Sequence, residues 1–118
     1  MRYKSLSASL AMIVGTMLLP HGARADPQDA ATLYSDNCAG CHGQSGKGDG
    51  PALAGLNPKP ADLSKVLDGK PDVWIAKVIS GGGPAGGKSP VMPAFDGAFS
   101  VDQMQALIAY LREFATKK

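Results

Sequence analysis

The 118-residue sequence predicts an all-α fold, one small domain of about three to five helices. Three observations carry this expectation. Apolar residues recur with the 3.6-residue helical period in three separate segments. No stretch alternates apolar and polar residues as a half-buried strand does, and no internal repeat is visible. Most of the glycines and prolines fall between those segments, which marks the connections as loops.

The first 25 residues read as a cleaved secretory leader ahead of that domain. Arg2 and Lys4 form a positive start, Leu6 to Leu19 is mostly apolar but short and interrupted by Ser and Gly, and Ala23-Arg24-Ala25 is an A-x-A cleavage site. The competing reading is an uncleaved anchor helix, which Pro20 and Gly22 near the expected cut oppose. The domain then spans residues 26–118, a length that buries only a modest core. Arg2, Lys4 and Arg24 leave with the leader, so nine Lys and Arg face ten Asp and Glu and the net charge is about −1 instead of the formal +2. With no basic footprint, nucleic acid is not an expected partner.

The first helix is expected from Pro27 to about Cys41. Pro27 suits a first-turn position, Asp29 favours the positive end of the helix dipole, and Ala30, Leu33, Tyr34 and Cys38 recur at helical spacing. It runs into Cys38-Ala39-Gly40-Cys41-His42, and C-x-x-C-H is the spacing of covalent c-type haem attachment. Residues three and four apart share a helix face, so both thiols and the imidazole can approach one macrocycle. Cys38 and Cys41 are then the thioether attachment points, and His42 is an axial ligand of the iron. A redox disulfide would expect a strand and a βαβ context before the motif. A structural zinc site needs four ligands, one more than Cys38, Cys41 and His42 supply once the leader is gone. One covalent haem would also enlarge the core and staple a domain this small.

From Gly43 to Pro60 glycines alternate with prolines in an expected loop, and Leu53 and Leu56 give it apolar anchors that a free linker would not need. An iron-bound histidine normally donates its second ring proton to a carbonyl. Pro51 is the expected acceptor, since a proline offers a carbonyl with no competing N–H.

A second helix is expected over Pro71 to Ser80, with Trp74, Ile75, Val78 and Ile79 as its apolar stripe and Gly81 ending it. Trp74 reads first as a core residue and second as a donor of its ring N–H to a haem propionate. Gly82 to Ser89 formally matches the phosphate loop G-x-x-x-x-G-K-[ST]. That loop needs a strand before it and a helix after it, whereas here a helical stripe precedes and Pro90 and Pro93 follow, so nucleotide binding is not expected.

Pro90-Val91-Met92-Pro93-Ala94-Phe95 is the second chemical centre. Three of the five methionines lie in the leader, which leaves Met92 and Met104 to contest the sixth iron position. Met104 falls in step with Val101, Leu107, Ile108 and Leu111 as a core residue would, whereas Met92 sits between two prolines in a segment that cannot be helical. Met92 is therefore the expected axial ligand. The last helix opens with Ser100 and Gln103 in capping-box spacing and runs to Phe114 or Ala115, with Arg112, Lys117 and Lys118 near its negative end.

Cys38-Ala39-Gly40-Cys41-His42-Gly43, Gly50-Pro51-x-Leu53, Met92-Pro93-Ala94-Phe95 and Leu107-Ile108-Ala109-Tyr110-Leu111 together resemble a class I c-type cytochrome of the bacterial monohaem, periplasmic kind. The resemblance covers about Tyr34 to Ala115, and the glycine-rich stretch from Gly81 to Gly87 is a departure from many members. It implies the small cytochrome c fold, with crossing first and last helices that place Tyr110 against Ala30 and Tyr34, and a proline carbonyl on the ligand histidine. It also implies export, because haem attachment by this motif takes place outside the bacterial inner membrane in the families that carry it. The function expected is one-electron transport with a His/Met-ligated haem c, and not catalysis. Redox proteins are the expected partners, met through a weak transient interface that Lys47 and Lys88 would help to steer. Two other readings stay open: a dedicated haem subunit of a dehydrogenase or oxidase complex, and a haem sensor or oxygen-chemistry enzyme with an open sixth site.

Overall fold

The computed structural model describes residues 27–53 and 57–117, so the leader expected over residues 1–25 and the anchor expected at Leu56 lie outside the described residues. Five α-helices occur among the described residues, and no strand: α1 (Pro27–Asn37), α2 (Ala39–His42), α3 (Leu63–Val66), α4 (Asp72–Gly81) and α5 (Val101–Thr116). Short 3-10 turns at Pro51–Leu53 and Gly83–Gly86 interrupt the two long loops.

The helix expected from Pro27 to Cys41 is divided at Cys38. The break is in the backbone of Cys38 itself, at φ −123° and ψ −38°, while Asn37 Nδ2 donates to the Leu33 carbonyl at 2.8 Å in the last turn of α1. Cys38 is the joint between the two pieces. Its N–H donates to Tyr34 O at 2.8 Å and its carbonyl accepts from His42 N at 2.8 Å.

The core lies where α5 crosses α1 and reaches α3 and α4. Tyr34 and Leu107 have no exposed surface, and Leu63, Leu67, Ile75, Ile79, Ile108, Leu111 and Phe114 close around them. Tyr34 packs 5.5 Å from the ring of Tyr110 and 5.1 Å from that of Phe114, while Ala30, also buried, keeps α1 slim one turn earlier. Burying side chains of this size contributes on the order of 1.5–3 kcal/mol each.

The ends of α5 explain how a 16-residue helix is held. Ser100 Oγ accepts from Gln103 N at 3.1 Å, and Gln103 Oε1 accepts from Ser100 N at 2.9 Å, a complete capping box. Near the other end Arg112 does more than neutralise a dipole. Its Nε donates to Asp72 Oδ1 at 3.0 Å, its Nη1 to Leu67 O at 3.2 Å and its Nη2 to Lys70 O, so one guanidinium ties α5 to the link between α3 and α4. α4 itself begins after Pro71, whose carbonyl accepts from Trp74 N at 3.0 Å, and buries Ile75, Val78 and Ile79. Among the described residues no helix is long and apolar enough to cross a membrane.

Candidate functional site

A cavity of about 330 Å³ opens between the α1–α2 joint, α3, α4 and the loop before α5. Cys38, Cys41 and His42 are on its walls, and so is Met92, fifty residues further along the chain. Much of the remaining lining is aliphatic or aromatic, including Leu63, Leu67, Ile75, Ile79, Phe95 and Leu111. Met104, the rival of Met92, packs instead against the hydrophobic core and is not among the cavity-lining residues.

Cys38 and Cys41 are half-buried free thiols. Burial pushes the Cys38 thiol up to about 11, and the nearby Cys41 adds to the shift. A redox C-x-x-C pair works through a lowered thiol pKa, the opposite perturbation. Among the described residues, no group of three or more His, Cys, Asp or Glu side chains could hold a metal ion.

His42 closes α2, and its Nδ1 lies 3.1 Å from the Ala61 carbonyl. A carbonyl can only accept, so Nδ1 carries the proton and Nε2 keeps the lone pair needed to bind a metal. Burial lowers the pKa of the ring below its ordinary value, against the opposing effect of the Ala61 hydrogen bond, and so favours the neutral, ligating form. The backbone is held as well. His42 N donates to Cys38 O, and His42 O accepts from Gly48 N at 2.8 Å.

The acceptor at Nδ1 is therefore Ala61 and not Pro51, which begins the 3-10 turn Pro51–Leu53. Chain path decides this. Leu63 N donates to Gly46 O at 2.7 Å, and Gly48, at a φ of +78°, lets the Pro60 carbonyl come so close that a Cβ there would collide with it. These contacts lay the 60–63 segment along the loop that follows His42. Sequence reasoning missed Ala61 and the short helix behind it. The available signal was Asp62, an N-cap residue ahead of Leu63, Val66 and Leu67 at helical spacing.

Met92 is half-buried between exposed Pro90 and Pro93. Its backbone is pinned to the end of α4: Gly83 N donates to Met92 O at 3.1 Å, and Phe95 N donates to Ile79 O at 2.9 Å. A Cβ on Gly83 would overlap the Ser89 carbonyl and stand 3.3 Å from Met92 Cβ, so only glycine permits this approach. The phosphate-loop look-alike is thus a 3-10 turn that follows a helix and supports Met92. Trp74 is half-buried on the cavity wall, with the Lys70 ammonium 5.0 Å from its ring centroid. Of the two lysines expected to steer partners, Lys88 lines the cavity, whereas Lys47 acts on the Asp62 carboxylate.

Two thiols, a neutral imidazole with a free Nε2 lone pair and a thioether around one apolar cavity fit a haem. Neither curated proteins nor solved structures return a match to this sequence. The family model described as cytochrome c matches residues 27–115, which takes in every element from α1 to the last turn of α5 and both walls of the cavity. The chain belongs to the cytochrome c family, whose members transfer electrons through haem and are generally carriers and not enzymes.

Proposed function

We propose that this protein is an exported, periplasmic monohaem electron carrier, with haem c linked through Cys38 and Cys41 and its iron held between His42 and Met92. One observation carries the reading: a single apolar cavity has C-x-x-C-H on its walls together with the methionine that lies between two prolines. When bound, the haem supplies a one-electron Fe(III)/Fe(II) couple. The side chains do the rest. His42 presents Nε2 because Ala61 occupies Nδ1, and Met92 offers a soft sulfur that favours the reduced state. The aliphatic walls from α3 and α4 exclude water and so raise the potential further. Trp74 is on the cavity wall, and its indole N–H would be the donor to a propionate. With His42 and Met92 both holding the iron, no place would be left for oxygen or a substrate, which favours transport over catalysis. Lys59, Lys88 and the exposed Val91 border the cavity and provide a small mixed surface for brief encounters with redox partners.

Carbon monoxide titration of the reduced protein tests the assignment. The wild type is expected not to bind it, Met92→Ala to bind stoichiometrically with a lowered potential, and Met104→Ala to behave as wild type. Prompt binding by the wild type would instead indicate an open-site sensor or enzyme. Purification of the native protein as a monomer supports a free carrier, and co-purification with a dehydrogenase or oxidase supports the subunit reading.

A further inference from the structure

The support of His42 does not end at the Ala61 carbonyl. Asp62, the next residue, is the N-cap of α3, and its Oδ1 accepts from Ser64 N at 3.0 Å and from Ser64 Oγ at 2.6 Å. Its own carbonyl accepts from Lys65 N and Val66 N at 3.1 and 3.0 Å. The peptide that carries the Ala61 oxygen therefore runs directly into a capped helix end. On its other side it meets the loop after His42, where Leu63 N donates to Gly46 O and Gly48 packs against the carbonyls of Pro60 and Ala61.

We infer that Asp62 is a positioning residue for the proximal histidine: by capping α3 it holds the Ala61 carbonyl on His42 Nδ1 and so sets how strongly the imidazole donates to the iron. The inference rests on His42 being the nitrogen ligand proposed above. An imidazole whose Nδ1–H is bonded to a carbonyl is the more basic ligand and favours Fe(III). Slackening that bond withdraws donor strength and moves the potential upward. The side chain acts through its cap geometry and not its charge, because Asn at an N-cap accepts the same hydrogen bonds as Asp.

The test compares the haem-loaded wild type with Asp62→Ala, Asp62→Asn and Ser64→Ala, reading the midpoint potential and the solvent-exchange rate of the His42 Nδ1 proton by NMR. Asp62→Ala is expected to raise the potential and speed the exchange. Ser64→Ala, which keeps the backbone half of the cap, is expected to move both the same way by less and supplies the answer if Asp62→Ala does not fold. Asp62→Asn is expected to restore wild-type values. Unchanged potential and exchange in Asp62→Ala, or in Ser64→Ala if the former does not fold, overturns the inference alone, and so does Asp62→Asn behaving like Asp62→Ala. A wild type without covalent haem, or one in which His42→Ala leaves the iron's spectrum unchanged, overturns the inference and the ligand assignment together.

Discussion

The two faces of the haem cavity are built on different principles. On the histidine face the functional side chain is itself hydrogen-bonded, its backbone N–H and carbonyl are both engaged, and the acceptor at its ring belongs to a peptide next to a capped helix. On the methionine face only the backbone is tied down, by Gly83 N to Met92 O and Met92 N to Ser89 O, in a segment between prolines. The first arrangement fixes a ring plane and a tautomer. The second holds a flexible thioether at the cavity and would leave its three rotatable bonds to reach an iron bound there. If His42 and Met92 are the ligand pair proposed above, it should fail asymmetrically, with sulfur lost long before nitrogen.

Removing the histidine face altogether has the largest expected effect. His42→Ala should accumulate little correctly ligated protein and lose the low-spin spectrum in both oxidation states, whereas Met92→Ala should keep its covalent pigment and lose only the sixth ligand. Equal damage from the two substitutions, measured by absorbance of the purified proteins, would erase the asymmetry. Next is Gly83→Ala, where the added Cβ would overlap Ser89 O. It is expected to loosen Met92 and give carbon monoxide binding intermediate between wild type and Met92→Ala, with the histidine ligand intact. A tight, unreactive sixth site in this variant would show that the methionine face is not set by the glycine turn.

A substitution away from both faces sharpens the comparison. Arg112→Ala removes hydrogen bonds to Asp72 Oδ1, Leu67 O and Lys70 O, and is expected to cost about 1–2 kcal/mol in a denaturant titration, discounted for exposure of the ion pair, with ligation unaltered. The smallest effect is one of pH. The pKa of Asp62 is lowered in the folded protein, first by the Ser64 hydroxyl and then by the Ser64 N–H and the nearby lysines. A lowered carboxyl contributes stability that is fully present above the unfolded value of about 3.9 and is lost as pH falls through the folded value. Urea midpoints of the wild type should therefore fall more steeply with acid below about pH 4 than those of Asp62→Asn. Parallel pH profiles would contradict the assignment of that carboxyl to the cap.

What the sequence reveals of this molecule tracks what residue identity can encode. The Ser100–Gln103 capping box, the Trp74–Ile79 stripe and the meeting of Tyr34 with Tyr110 are matters of side-chain type at a spacing or of family resemblance, and all are present in the fold. C-x-x-C-H and the proline-bracketed Met92 are legible for the same reason, and the structure brings them to one cavity. The carbonyl at His42 Nδ1 is not legible that way. Every residue has a carbonyl, so its identity depends on where the loop returns, and glycine contacts at Gly46 and Gly48 direct that return to Ala61 and not to Pro51. The reach of Arg112 to Asp72, forty residues away in sequence, is hidden by the same non-locality. The break at Cys38 is a change of one residue's backbone angles, to φ −123° and ψ −38°, which apolar periodicity does not register.

The most direct test of the account is the intact mass of the purified holo-protein after denaturation in acid and extraction with organic solvent. The wild-type chain is expected to retain the mass of one haem, and to lose it to the solvent layer when Cys38 and Cys41 are both replaced by alanine. A wild-type chain at its bare polypeptide mass, or one carrying more than one haem, would contradict it.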